Sequence, residues 1–399
     1  MTRAAIPGAA YHRTLRPSMT TPVLTRRRVL LAAALASSRL AGAQATAAPA
    51  RPRSALPARS PATYTNPVLD QDFPDPTVIR ASDGAYYAYG TQTTLRGGTA
   101  DSVTLNIQVL RSPDLVHWTR AGDALPVKPR WASRTQNFWA PHVSEVRGRY
   151  YLYYSAQPDT AKVDTTQGLC LAVATATHPA GPFTDVGRPL QCGPSFVNID
   201  PMQFDAPRTG APLLYWGSGF GPIKVRRLAA DRVSFAPGSS EQPLVFPVKT
   251  ADTTRYQRLV EGAWVTYHAP YYYLFYSGDN CCGPHAHYGV MVARSRSATG
   301  PFRTLADATG RLESTILVRN ARWNAPGHNS VVRDARGESW IFYHAINPAR
   351  AQGSTMAGIS DRRVLLTDHL VYRDGWPAVA GGTPSDGPRP APSGGPDPR

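Results

Sequence analysis

The 399-residue chain is short of several things, and each shortage removes a class of protein from consideration. Cysteine occurs four times, as Cys170, Cys192, Cys281 and Cys282, with no Cys-x-x-Cys and no Cys/His spacing of zinc type. The apolar run from Leu31 to Ala36 is far too short to span a bilayer, so no membrane partner is expected. Acidic residues are few, 27 against 43 basic ones, yet the arginines are not interleaved with aromatics as a nucleic-acid groove needs, so no nucleic-acid partner is expected either. Convincing helical periodicity is missing, and 38 prolines would interrupt long helices.

The basic excess is partly a leader effect, because seven arginines and no acid lie in residues 1–45. Thr25-Arg26-Arg27-Arg28-Val29-Leu30 runs into the short apolar stretch and then Ala43-Gln44-Ala45, a small-x-small cleavage pattern. Residues 1–45 therefore read as a secretory signal peptide of twin-Arg type, with a Sec signal as the alternative, and the mature protein as secreted. Residues 46–63 read as a Pro/Ala-rich disordered linker, 64–380 as the catalytic domain and 381–399, rich in Pro, Gly and Ser, as a disordered tail. Export permits disulfides: Cys170 with Cys192 is the loop-closing pair, while Cys281-Cys282 is either a vicinal disulfide or reduced.

One motif returns five times, about 60 to 70 residues apart: Ala85-Tyr-Tyr-Ala-Tyr-Gly-Thr91, Tyr150-Tyr-Leu-Tyr-Tyr-Ser-Ala156, Leu213-Leu-Tyr-Trp-Gly-Ser-Gly219, Tyr271-Tyr-Tyr-Leu-Phe-Tyr-Ser277 and Trp340-Ile-Phe-Tyr-His-Ala345. Each has the composition and length of a strand. Long-period repetition of strand units predicts an all-β fold, a single-domain five-bladed β-propeller with four-stranded blades. Two β-sandwiches are the alternative architecture, but they would not require one motif to recur.

Upstream of each aromatic strand lies a segment with a polar residue of catalytic type: Asp75, His142, Asp200, Glu261 and His328. Alone, an Asp-Pro is a turn or a strand-start cap, and a histidine is a bonded core residue. As a set in one repeat slot they would converge on the propeller axis. Clustered carboxylates are costly unless they have work to do. Three carboxylates around a pocket suit glycoside hydrolysis, with one activating water and another protonating the leaving oxygen. Phe73, Trp139, Phe220 and Trp264 are candidate sugar-stacking residues beside them, with ordinary packing as the plainer alternative.

Asn66-Pro67-Val68 with Pro74-Asp75-Pro76, Phe138-Trp-Ala-Pro-His142, Asn198-Ile-Asp200-Pro, Val260-Glu261-Gly262, Gly327-His328-Asn-Ser and Asp374-Gly-Trp-Pro377 together resemble glycoside hydrolase family 43, over roughly Thr65 to Val379. The resemblance implies a propeller of inverting enzymes, with Asp75 as general base, Glu261 as general acid and Asp200 orienting Glu261 and raising its pKa. Inversion implies base and acid carboxyls roughly 6.5–9.5 Å apart. It further implies sugar binding by Arg363 and by His328 in the channel, no required cofactor, and a structural Ca²⁺ held through water at His328; His142 is a candidate sugar-binding residue by its place in the repeat. The implied partner is a carbohydrate, arabinan, arabinoxylan or xylo-oligosaccharides, acted on by a monomer. Pro74 stands where endo-arabinanases commonly have His, and His142 where an Asp-type residue often follows Trp-Ala-Pro. The Asp279–His287 loop and Gly327-His-Asn-Ser lean toward arabinofuranosyl linkages, with β-xylosidase activity as the alternative within the family and a non-catalytic carbohydrate-binding propeller as the alternative outside it.

Overall fold

The computed structural model describes residues 63–394 apart from 97–101, 161–163, 165 and 357–358. The leader (1–45), and the linker up to residue 62, lie outside the described residues. Five antiparallel sheets follow one another along the chain, each with its strands in sequence order. Blade I comprises Thr77–Arg80, Tyr86–Gly90, Gln108–Ser112 and Thr119–Asp123. Blade II comprises Phe138–Val146, Arg149–Ala156, Cys170–Ala176 and Thr184–Asp185. Blade III comprises Met202–Asp205, Pro212–Trp216, Ile223–Arg227 and Gln242–Val245. Blade IV comprises Glu261–His268, Tyr271–Asn280, His287–Ser295 and Arg303–Thr304. Blade V comprises Asn324–Arg333, Ser339–Ile346, Arg363–Arg373 and Trp376–Val379. Each first strand touches the first strands of both neighbouring blades, which closes the ring around its axis. Blades II and IV depart from four strands: Gln191–Cys192 and Thr315–Leu317 add a short fifth to their third strands.

The repeated aromatic segment is the second strand of every blade, and its burial explains its composition. A propeller blade is covered on both faces, so both sets of alternating side chains must be apolar. In blade I, Tyr87 and Tyr89 pack toward blade II with Phe138 and Tyr154, while Tyr86 and Ala88 pack toward blade V with Trp340 and Phe342. In blade II, Leu152 and Tyr154 face blade I, and Tyr153 faces Leu214 and Trp216 of blade III. Tyrosine suits this place because its hydroxyl can reach past the apolar layer. Tyr89 donates to Pro179 O (2.6 Å), Tyr153 to Arg232 O (2.8 Å), Tyr215 to Ala298 O (2.7 Å) and Tyr273 to Gly375 O (2.7 Å), each a backbone carbonyl of the following blade.

The junction between blades V and I is made differently, by the ends of the domain. The fourth strand of blade V pairs only with residues 370–373 of the third, and the entering chain takes the edge left open. Val68 N and Leu69 N donate to Leu365 O, and Phe73 N to Arg363 O. Buried Asn66 binds Thr367 O, Thr367 N and the Ser385 hydroxyl, at 2.9, 3.0 and 2.9 Å. The tail expected to be disordered is therefore placed as far as Gly394. Arg389–Pro390 pairs with Thr63–Tyr64, Ser385 is buried against Asp368, and Ser393 N donates to Asp334. A two-residue ladder and a few polar contacts need no apolar periodicity, so composition alone conceals them. The disulfide Cys170–Cys192 lies between the directly paired residues of the third strand of blade II and its added strand.

Replacing Tyr215 by Phe leaves the Ala298 carbonyl unpaired in a buried junction and is expected to cost about 1–2 kcal/mol, measurable by urea unfolding. Asn66→Ala, which strips the bonds to Thr367, Asp368 and Ser385 from the closing junction, is expected to cost more than Tyr215→Phe in the same measurement.

Candidate active site

Near the start of each first strand a residue lies in the left-handed backbone region: Asp75 (φ 56°), Ala140 (46°), Asp200 (59°), Gly262 (61°) and His328 (49°), with Ala325 (48°) a second one in blade V. For the non-glycine residues such a conformation costs of order 1–3 kcal/mol, and its fivefold recurrence marks it as the equivalent slot of the repeat. Three of the strands are also bulged there, between Trp139 and His142, Glu261 and Trp264, and Gly327 and Ser330. The slot thus differs from the one read from polar residues alone: Glu261 stands one residue before it, and His142 two after it. A bulge re-aims side chains, and this displacement decides which of them reach the axis.

Asp75, Asp200, Glu261, Trp139, His328 and Arg363 line one cavity of about 500 Å³, with Phe220 at its exposed rim beside Phe196. Phe73, His142 and Trp264 do not line it. Phe73 is fully buried between blades V and I, its ring filling the space where a side chain at Gly90 would stand. The bulge in blade II sends Trp139 to the cavity and His142 into packing, where its ring meets Trp264 (centroids 5.3 Å apart) and Tyr153. Burial pushes the His142 pKa down to about 3, so this imidazole is neutral at ordinary pH.

The three carboxyls sit in unlike surroundings. Burial is the largest single influence on Asp75 and raises it; the Arg363 guanidinium, 3.0 Å from Oδ1, is the largest opposing one and together with His328 and His344 brings the carboxyl well below the usual range. Both histidines are themselves pushed down by burial, His344 to about 4, so the fixed counter-charge at neutral pH is Arg363. His344 Nδ1 accepts the Asp75 backbone N–H at 3.1 Å, and Thr91 donates to Asp75 Oδ2 at 2.6 Å. Glu261 is raised, by burial first and by the charge of Asp75, against the Ser218 and Tyr288 hydroxyls that donate to its two oxygens at 2.5 and 2.8 Å. Asp200 is raised well above the usual range by burial, then by Glu261 and Asp75. Its Oδ2 accepts the Gly262 N–H at 2.9 Å, so it grips Glu261 through the next backbone amide. Neighbouring Arg362 turns outward to Asp70, so of this adjacent pair Arg363 is the one that faces the cavity.

Thr91, Ser218, Tyr288 and His344 are the residues of the site that the sequence reading passed over. Three of them carry a signal, since they close the aromatic repeat. Polar ends of second strands clasp the slot region of the next blade: Thr91 accepts Ala140 N–H (2.7 Å), Ser218 binds Glu261, Ser277 accepts His328 N–H (2.8 Å) and His344 accepts Asp75 N–H. Among the described residues Ser155, in the corresponding place of blade II, makes no such bond. Tyr288 has no repeat equivalent. Its ring lies parallel to His344 and against Gly327, where a Cβ would fall 2.0 Å from the ring.

A calcium ion takes six to eight oxygen ligands. Around His328 Nδ1 the protein offers Asp75 Oδ1 at 3.5 Å and Asp200 Oδ2 at 3.8 Å, and no group of three or more ligating residues occurs among the described residues. Protein atoms alone do not supply that set.

The raised Asp200 carboxyl binds a proton more tightly folded than unfolded, so its contribution to stability is full below the unfolded value of about 3.9 and is lost as pH rises toward the folded one. Asp200→Asn is therefore expected to melt about 2–4 °C above wild type at pH 8, the shift of a roughly 1 kcal/mol effect, and at nearly the wild-type temperature at pH 4, by calorimetry. Asp75 has the opposite sign: its stabilisation is present above the unfolded value and lost as pH falls through its lowered one.

Comparison with known proteins follows the same lines. The sequence model of Glycosyl hydrolases family 43 matches residues 64–377. The "Extracellular endo-alpha-(1->5)-L-arabinanase 1" of Bacillus subtilis (strain 168) is 29% identical over 318 residues, covering 76% of this chain and 86% of its own. The "Probable arabinan endo-1,5-alpha-L-arabinosidase B" of Aspergillus flavus is 31% identical over 371 residues, covering 82% and 94%. Among solved structures, a thermostable family-43 glycoside hydrolase superposes with a TM-score of 0.66 at 27% identity, over 82% of this chain and 99% of that one. The Cellvibrio cellulosa α-L-arabinanase, at 22% identity and a TM-score of 0.61 over 77% and 95%, shares the fold. With its five blades, its axial cavity holding Asp75, Asp200 and Glu261, and a family match over nearly all of the described chain, this protein belongs to family 43 of the glycoside hydrolases.

Proposed function

We propose that the chain is an exported, inverting glycoside hydrolase that cleaves α-L-arabinofuranosyl linkages of arabinan-type polysaccharide. The observation that carries the mechanism is the opposite setting of two carboxyls in one cavity: Asp75 is held ionised by Arg363, and Glu261 is pushed toward the protonated form by burial. Two acids whose surroundings drive their pKa values apart supply a base and an acid at the same pH. Asp75 takes a proton from water as it attacks the anomeric carbon, and Glu261 gives its proton to the leaving oxygen. Asp200 acts as a positioning residue through Gly262 N–H, and its own raised pKa keeps a second negative charge from forming beside Glu261. Arg363 both neutralises Asp75 and offers guanidinium donors to sugar hydroxyls.

The substrate class rests on the names of the relatives, which print arabinanase, arabinan or α-(1->5)-L-arabinofuranosidase and are matched over most of their length. Two of those names also contain "Extracellular", which agrees with the leader read at residues 1–45 and with two disulfides in the folded domain.

Glu261→Gln and Asp75→Asn are each expected to lower kcat on arabinan by about 10²–10⁴-fold with folding intact. Near-wild-type turnover in either would overturn the assigned roles, and release of sugar from xylan but not arabinan would overturn the substrate. Proton NMR of the first-formed product is expected to show the inverted anomer. Ser218→Ala removes a hydrogen bond that favours ionised Glu261, so its pKa rises and the alkaline limb of kcat/KM is expected to move to higher pH.

A further inference from the structure

We propose that the Cys281–Cys282 disulfide is a sugar-contact surface of the active-site cavity, an uncharged sulfur platform that receives the C–H face of a furanosyl unit and sets affinity for the glycan. The inference rests on the arabinan reading above and extends it to a specific part of the cavity wall.

Three observations lead to it. First, the bond has no stabilising task of the usual kind. A disulfide restrains the unfolded chain more the longer the loop it closes. Cys170–Cys192 spans 22 residues, whereas Cys281 and Cys282 are adjacent and close none. Second, both cysteines line the cavity that holds Asp75, Asp200 and Glu261. As thiols they would present two weak donors; as a disulfide they present a polarisable face with no donor and no charge. Pockets for small ligands pair apolar walls with a few aimed polar groups, and a furanose ring has the matching character, with C–H faces and hydroxyl edges. Third, the loop carrying the pair is fixed from several sides. Asp279 is held by Arg258 (3.2 Å) and faces His287 (3.6 Å), and Asn280 Nδ2 donates to His285 O at 3.2 Å. Gly283 N–H donates to the Asp361 carboxylate, two residues before Arg363. Cys281 packs on the group formed by Tyr288, Ala325 and Ile346, and Tyr288 is the residue that donates to Glu261. The platform and the proposed acid are thereby set against each other by one tyrosine.

The test is calorimetric titration of arabino-oligosaccharides into Glu261→Gln protein, with and without the added pair Cys281→Ala/Cys282→Ala. The added pair is expected to weaken binding about tenfold or more, the scale of one lost apolar contact in a pocket. In the otherwise wild-type enzyme the same pair is expected to raise KM by a like factor, with kcat within about twofold and both limbs of the pH profile unmoved. Unchanged affinity, or a fall in kcat at constant KM, overturns the platform. Failure of the Glu261→Gln protein alone to bind any arabino-oligosaccharide overturns the substrate reading instead. If the alanine pair does not fold, dithiothreitol added to a Cys170→Ala/Cys192→Ala variant opens Cys281–Cys282 alone. Binding should then weaken and recover on reoxidation, and an affinity indifferent to the reductant refutes the proposal.

Discussion

Asp75, Asp200 and Glu261 share one desolvated cavity, and of these three only Asp75 has a guanidinium in contact with it. Burial penalises the ionised form of each, so without further intervention all three would tend to stay protonated. Arg363 breaks that symmetry by sitting on Asp75, and the negative charge it sustains there adds to the burden on Glu261 and Asp200. The division into one ionised and two protonation-prone groups is thus a single electrostatic arrangement. The chemistry proposed for the site follows from it.

The scaffold supplies that arrangement by repetition. Each blade offers the same left-handed turn at the axis, and polar ends of the second strands reach across to the turn of the following blade. A site assembled from five separate strands is held to hydrogen-bonding precision because neighbouring blades clasp one another at the axis through these polar ends, blades II and III excepted, and farther out through the tyrosine hydroxyls. The closing junction lacks the outer clasp and relies on the entering and leaving segments around Asn66 and Ser385. Strain at four non-glycine slots and three crowded acids are tolerated because the ring over-determines their positions.

Much of this was legible in the chain. The five aromatic strands announced the blade number, because a sheet buried on both faces must be apolar at every position. Asp75, Asp200 and Glu261 were legible as a set because they precede those strands in order. What could not be read was the aim of particular side chains. Phe73, His142 and Trp264 flank the correct positions, yet bulges and strand alternation turn them into packing, and a bulge leaves no mark in residue type. Thr91, Ser218 and His344 were hidden for a different reason: they end an aromatic run and so read as strand boundaries. Tyr288 reaches Glu261 only because Gly327 leaves room for its ring, a contact between residues 39 positions apart in the chain. The placement of residues 381–394 was concealed by composition, since polar contacts to two buried sites hold them without an apolar pattern.

The account stands on unequal ionisation of Asp75 and Glu261 in the resting protein. Carboxyl ¹³C NMR on selectively labelled protein, titrated from acid to alkaline pH and assigned with the two single variants, measures this directly. Asp75 is expected to titrate below the ordinary aspartate range and Glu261 above the ordinary glutamate range, so that between them one is charged and the other is not. Titration in the reverse order, or both groups at ordinary values, would contradict the account.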